Sequence, residues 1–238
     1  MALNARRFGL LAYLPLMMLA MTGEPTSVVP APRDDTDAIA RQEQLIARVR
    51  EAKGTVPVVF VGDSITQSWD APGKEVWDTM LAPLGAMNLG NSGDRTENVL
   101  WRLQKAPLTP LKPRAIVLLI GTNNVGHGKS TASETLAGIR RVIATLRTQC
   151  PDAKIVLMAV FPRGEQMNTM RGDLMQVNQA LAADPQPGVI LVDIGTRFIQ
   201  PNGDIRKELM PDALHLSPAG YQVWAETVLP LIQAPKAN

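Results

Sequence analysis

Five short apolar runs recur along the chain, at Val58 to Val61, Ala86 to Leu89, Ala115 to Ile120, Lys154 to Ala159 and Val189 to Asp193. Each is followed by polar loop residues and then by a helical pattern. The three central runs are rich in Val, Ile and Leu and lack period-two alternation, the pattern of parallel strands covered by helices on both faces. Helices are expected over Ile39 to Lys53, Lys74 to Leu81, Thr96 to Lys105, Ser133 to Thr148 and Arg171 to Ala183. In the first of these Ile39, Leu45, Ile46 and Val49 share one face, and Gly54 ends it. The last helix has the clearest start, with Ser217 at the N-cap and Pro218 at the first helical position. Its buried stripe is expected to be Tyr221, Trp224, Val228 and Leu231. The alternation predicts an α/β fold on a five-stranded parallel sheet.

At 238 residues the chain has room for one such domain, expected over 38–234 and followed by a tail at 235–238. Arg6 and Arg7 precede an apolar run of 14 residues from Phe8 to Met21, shorter than the ~20 residues that span a bilayer. Residues 1–22 therefore read as a signal peptide or N-terminal anchor, and the protein as exported to the periplasm or the cell exterior. If the signal is cleaved, no stable membrane span is left. Residues 23–37 hold Pro25, Pro30, Pro32, Asp34 and Asp35 and read as a flexible linker.

A formal net charge of +2, from 24 Lys and Arg against 22 Asp and Glu, offers no basic face for nucleic acid. The single cysteine, Cys150, forms no intramolecular disulfide and has no histidine near it in sequence, so it reads as apolar filler.

Parallel sheets bind ligands beyond the carboxyl ends of their strands, near the point where strand order reverses. Polar loops fall there: Gly62-Asp63-Ser64, then Asn88-Leu89-Gly90-Asn91-Ser92-Gly93-Asp94, then Gly121-Thr122-Asn123-Asn124. A strand order of 2-1-3-4-5 makes the three loops neighbours. A serine hydroxyl needs an adjacent base to act as a nucleophile, usually an imidazole oriented by a third group. Of the two histidines, His127 lies in a glycine-rich loop, whereas His215 has Asp212 three residues upstream. One turn of backbone brings that carboxylate to one ring nitrogen and leaves the other free to face Ser64. The candidate catalytic residues are thus Ser64, Asp212 and His215. Acyl transfer also needs donors for a tetrahedral oxyanion. The backbone N–H groups of Ser64 and Gly93 and the side-chain amide of Asn123 are the candidates.

Four ordered blocks carry a family resemblance: Gly62-Asp63-Ser64-Ile65, Gly93 within Asn-Ser-Gly-Asp, Asn123 within Gly-Thr-Asn-Asn, and Asp212-Ala-Leu-His215. Together they resemble the SGNH (GDSL-like) hydrolases. Within that superfamily the chain is most similar to the catalytic subunits of the platelet-activating-factor acetylhydrolases. Gly93-Asp94-Arg95-Thr96, Val99-Leu100-Trp101-Arg102-Leu103 and Phe161-Pro162-Arg163-Gly164-Glu165 carry that likeness. The resemblance implies a flavodoxin-like three-layer sandwich, a Ser64–His215–Asp212 triad, and an oxyanion hole of Ser64, Gly93 and Asn123. Asn124 stands where many relatives outside that branch carry Asp.

The expected activity is hydrolysis of a small ester, such as an acetylated glycan or a lysolipid, with a bias to short acyl groups. It calls for no metal and no organic cofactor. A non-catalytic glycan- or lipid-binding domain shares the fold class. A nucleotide-binding reading of Gly128-Lys129-Ser130 fails on spacing, because a phosphate loop needs glycine at position 123. Arg163, Glu165 and Trp69 are expected in a salt-bridged loop and as a partly buried aromatic.

Overall fold

The computed structural model describes residues 23–233. The expected signal segment at 1–22 and the tail at 235–238 lie outside the described residues. Five strands, β1 (Val58–Gly62), β2 (Ala86–Gly90), β3 (Ala115–Leu119), β4 (Lys154–Met158) and β5 (Val189–Val192), form one sheet. Its order is β2-β1-β3-β4-β5, and every neighbouring pair is parallel. Strand order therefore reverses between β1 and β3.

The helices in chain order are α1 (Thr36–Glu51), α2 (Ser64–Gln67), α3 (Lys74–Val76), α4 (Thr96–Lys105), α5 (Thr122–Gly126), α6 (Ala132–Gln149), α7 (Thr169–Ala183) and α8 (Pro218–Gln233). Successive strand residues point to opposite faces, so each strand feeds two cores. Val59, Val61, Ile116, Leu118, Ile155 and Leu157 pack on one side with Leu45 of α1, Leu103 of α4, Ile139 of α6 and Val177 of α7. Val58, Phe60, Val117 and Val156 pack on the other with Tyr221, Trp224 and Val228 of α8. This is the three-layer α/β sandwich. The expected α8 stripe is shifted at its end: Ile232 is fully buried and Leu231 only partly, one turn on from Val228. The expected Lys74 to Leu81 helix is α3 continued by a wider π-type turn over Trp77–Leu81.

Caps set the helix starts. Asp35 accepts from Ala38 N–H at α1, Thr131 and Glu134 form a reciprocal capping box at α6, and Asn168 accepts from Arg171 N–H at α7. The Ser217 hydroxyl accepts from Gly220 N–H at the start of α8. Edge strand β2 is covered by two arginines of α1, Arg41 donating to the Gly90 carbonyl and Arg48 to that of Asn88.

The composition of residues 23–37 suggests a tether, but this stretch lies against the domain. Ser27 is fully buried and donates to the Glu134 carbonyl, and its own carbonyl accepts from Thr96 Oγ1. Ala31 N–H bonds to the Glu97 carbonyl. Individual side-chain to backbone bonds fasten the segment, and these have no periodicity for a composition-based reading to detect.

Two glycines let the helix that starts at Ser64 sit directly on the strand ends. Gly62 and Gly90 are register partners at the tips of β1 and β2. A Cβ on Gly62 would lie 2.2 Å from Thr66 Oγ1, and one on Gly90 would lie 2.1 Å from the backbone nitrogen of Gln67. Backbone cannot yield as a flexible side chain can, so Gly90→Ala is expected to cost about 1–3 kcal/mol of unfolding free energy by overpacking. Gly172→Ala, in α7 with open space around it, is expected to stabilise by about 0.5–1 kcal/mol. Urea denaturation of the two variants checks the opposite signs.

Candidate active site

Ser64 lies one residue beyond β1 and is the first residue of α2, with Asp63 as N-cap. The Asp63 carboxylate accepts from Ile65 N–H at 3.0 Å, and its carbonyl accepts from Gln67 N–H. Ser64 is largely buried, at 9 % exposure.

His215 and Asp212 come from the loop before α8. Ala213 between them adopts a left-handed conformation (φ +58°), uncommon for a residue with a Cβ and costing roughly 1–2 kcal/mol. That kink turns the backbone N–H groups of Leu214 and His215 onto the Asp212 carboxylate, at 3.0 and 2.7 Å. The same carboxylate lies 2.7 Å from His215 Nδ1, and His215 Nε2 lies 2.9 Å from Ser64 Oγ. With Nδ1–H donating to Asp212, Nε2 is bare and accepts from the serine hydroxyl. The Asp212 side chain is 56 % exposed. A contact so exposed contributes little stability, and its effect is on ring orientation and tautomer. Burial alone would raise the Asp212 carboxyl; its bonds from the His215 ring and backbone, the His215 charge and Leu214 N–H hold it below the usual range.

Gly93 and Asn123 lie beyond the neighbouring strands β2 and β3. Gly93 has φ +73°, open to glycine at no steric cost. Asn123 is in α5, just after β3, and its Nδ2 donates to the Asp94 carbonyl at 3.0 Å. An amide NH₂ has two donors, so one N–H remains. Ser64, Asn123, His215 and Asp212 are thus brought to the carboxyl end of the sheet around the reversal point, with Gly93 in the adjoining loop. The serine is bonded by His215, not by His127. Burial lowers the His127 pKa, and the charges of Arg95, Arg163, Arg33 and Lys129 lower it further.

Several further residues brace this region, through contacts that the sequence alone did not reveal. Tyr221 donates from its hydroxyl to the Ile65 carbonyl at 2.6 Å, tying α8 to α2. Trp69, expected to be partly buried, is instead fully buried in the aromatic cluster, its ring 4.4 Å from Tyr221 and 5.1 Å from Trp224 by centroid. Arg163 donates to the Thr122 carbonyl at 2.9 Å and so braces the start of α5, whereas Glu165 pairs with exposed Lys207. Asn124 is fully buried, accepting from Thr96 N–H and donating to Thr96 Oγ1 and Glu97 Oε2. Lys129 and Ser130 N–H groups bond to the Asn124 carbonyl, so they do not form a phosphate cradle. Cys150 is buried, and burial pushes its thiol up to about 11.

A serine bonded to an imidazole at the reversal point of a doubly wound parallel sheet defines the class of serine-type esterases and acylhydrolases. Comparison with known proteins makes this specific. The sequence pattern of the GDSL-like Lipase/Acylhydrolase family matches residues 60–223, and the chain belongs to that family. It is 37 % identical over 209 residues to human platelet-activating factor acetylhydrolase IB subunit alpha1, covering 84 % of this chain and 87 % of that one. Among solved structures, a GDSL-like lipase from Bacteroides thetaiotaomicron superposes with TM-score 0.70 at 18 % identity, over 82 % of this chain and 98 % of that one. An acetylxylan esterase from Geobacillus stearothermophilus gives 0.58 at 20 % identity, over 78 % and 98 %. These two structures share the fold.

One titration beneath the site has a measurable signature. Burial, reinforced by the charge of Asp94, pushes the Asp63 carboxyl up to about 7, against the pull of Ile65 N–H and the Arg163 charge. Between pH 3.8 and about 7 the folded state therefore holds a proton that the unfolded state has lost, so stability falls as pH rises through that window. Asp63→Asn keeps a cap acceptor and removes the titration. The stability of the native protein relative to this variant is expected to decline across the window and level off above it. Urea unfolding at a series of pH values checks this, and parallel profiles would refute it.

Proposed function

We propose that the protein is an exported serine esterase that cleaves short-chain esters, chiefly acetyl esters, with Ser64 as nucleophile and His215 and Asp212 as base and orienting acid. The observation that carries this reading is the pair of bonds, 2.7 Å from Asp212 to His215 and 2.9 Å from His215 to Ser64. His215 Nε2 takes the hydroxyl proton as Ser64 Oγ attacks the ester carbonyl. The tetrahedral oxyanion is held by the N–H groups of Ser64 and Gly93 and the Asn123 amide, each contributing roughly 3–4 kcal/mol to lowering the barrier. The alcohol leaves with the proton from His215. Water then loses a proton to His215 and attacks the acyl-enzyme, which releases the carboxylic acid and restores Ser64.

The acyl preference is supported by the loops around the site. Ser64 lies one residue beyond β1, and β2 reaches α4 through only Asn91 to Arg95. The long connection after β5 buries Phe198, Ile205 and Met210 in the core and carries Asp212 and His215. The connections that carry Ser64 and Gly93 are too short to form an extended acyl channel or lid. Two of the relatives named above act on acetyl groups by their names, which favours an acetylated glycan or a lysolipid-like ester here. Export rests on the signal-like pattern of residues 1–22; among the described residues no helix is long and apolar enough to cross a membrane.

Ser64→Ala is expected to lower kcat on p-nitrophenyl acetate by about 10⁴- to 10⁶-fold and to abolish labelling by a fluorophosphonate probe. Retained hydrolysis would sink the mechanism, and a native protein that resists the probe would favour a non-catalytic binding domain. Across a series of p-nitrophenyl esters kcat/KM is expected to fall from acetate to palmitate. The reverse order would remove the short-acyl assignment.

A further inference from the structure

The segment preceding the domain lays a cation on the loop that contains Gly93. Arg33 is only 11 % exposed in its side chain. Its Nη1 donates to the Ser92 carbonyl at 2.7 Å and lies 3.5 Å from Asp94 Oδ1, while its Nη2 donates to Asp35. The guanidinium rests directly on Gly93, where an added Cβ would be 2.6 Å from Nη1 and 3.1 Å from Cζ. A side chain at 93 would thus displace the Arg33 guanidinium, and the positive φ favours glycine there.

The bond to Ser92 has a consequence that follows from peptide geometry. The carbonyl of Ser92 and the N–H of Gly93 belong to one planar trans peptide unit and point in opposite directions. A donor that fixes the carbonyl fixes the direction of the N–H, and a cation at the oxygen draws charge toward itself and makes the N–H a stronger donor. The rest of the loop is held independently. Ser92 N–H donates to Gln67 Oε1 at 2.7 Å, Asn91 N–H to the Gly62 carbonyl, and Asp94 Oδ2 is held by Arg102 at 2.9 and 3.0 Å. Arg33 is the group seen on the Ser92 carbonyl. The arm that delivers it is anchored just ahead of Arg33, by the Ser27 bonds and by Asn98 Nδ2 donating to the carbonyls of Ala31 and Pro32.

Resting on the reading of Gly93 N–H as an oxyanion donor, we propose that Arg33 is a positioning residue that orients and polarises the Ser92–Gly93 peptide. The N-terminal arm is then part of the catalytic apparatus. Because the oxyanion exists only past the ground state, loss of the group acts on kcat and spares KM.

The test uses the full chain and p-nitrophenyl acetate. Arg33→Ala is expected to lower kcat by about tenfold to a hundredfold with KM within about twofold, and millimolar guanidinium is expected to restore part of the loss without affecting the native enzyme. Fluorophosphonate labelling of Arg33→Ala is expected to persist at a reduced rate. Arg33→Lys keeps the charge but not the two-pronged fork, so it is expected to show the same split with a smaller loss; it decides the matter if the alanine variant does not fold. A native kcat in Arg33→Ala or, where that variant does not fold, in Arg33→Lys, or a loss that guanidinium leaves untouched and that appears in KM, overturns the assignment. Ser64→Ala run in parallel separates the two ideas: activity there defeats the esterase mechanism, whereas its absence alongside a native Arg33→Ala defeats only the role of Arg33.

Discussion

The 2.9 Å bond between His215 Nε2 and Ser64 Oγ joins positions 151 residues apart, and the rest of the molecule can be understood as what holds those two atoms together. On one side, Ser64 is placed by α2 resting on the paired glycines at the tips of β1 and β2. On the other, His215 is placed by the left-handed Ala213, which is buried and has its carbonyl bonded by Gly164 N–H at 2.8 Å. A backbone conformation that costs on the order of 1 kcal/mol persists only where its surroundings over-determine it. Here they do: Arg171, itself buried, donates to the carbonyls of Gly164 and Gly203 and so supports the loop that supports Ala213. The two sides are then locked by Tyr221, whose hydroxyl reaches the carbonyl of Ile65, the residue after the serine.

Beneath the serine the electrostatics are costly and therefore constrained. Asp63 and Asp94 are both fully buried, and each raises the energy of the other's charged form. Burial pushes the Asp94 carboxyl up, while Arg102 and Arg33 pull it back. Buried charges are tolerated only when paired and hydrogen-bonded. Asp94 meets that condition with one oxygen toward each arginine, whereas Asp63 has a single bonded oxygen and is relieved by holding its proton. The same reasoning accounts for Asn at position 124. Its Nδ2 lies 3.2 Å from the Glu97 carboxylate, and an aspartate there would set two buried carboxylates against one another.

The fold was legible because it is written in long, strongly patterned segments. Buried parallel strands read as continuous Val, Ile and Leu runs, and α8 announces itself through Ser217 and Pro218. The Asp212–His215 pair was legible because only two histidines exist and only one has a carboxylate at the right spacing. What escaped was short or aperiodic. The helices α2 and α5, of four and five residues, are too brief to show a period of 3.6. The end of the α8 stripe slipped by one residue, since positions three and four beyond Val228 are both compatible with one face. The arm at 26–33 escaped altogether, because Pro-rich composition reports only how a free chain would behave. Its order comes from partners near residues 97 and 134.

That arm changes how the loop carrying the proposed oxyanion donor Gly93 is understood. Asn91 to Asp94 is short, glycine-containing and mostly polar, with few apolar contacts of its own to keep it still. Its peptide groups and the Asp94 carboxylate are fastened by separate bonds, and those bonds reach four different parts of the chain: β1 at Gly62, α2 at Gln67, α4 at Arg102 and the arm at Arg33. A donor array formed at the moment of reaction would lose much of its electrostatic benefit to reorganisation, while one fixed during folding does not. Anchoring the loop from four sequence-distant elements makes its geometry a property of the whole fold, and the arm becomes as much a part of that fold as the strands.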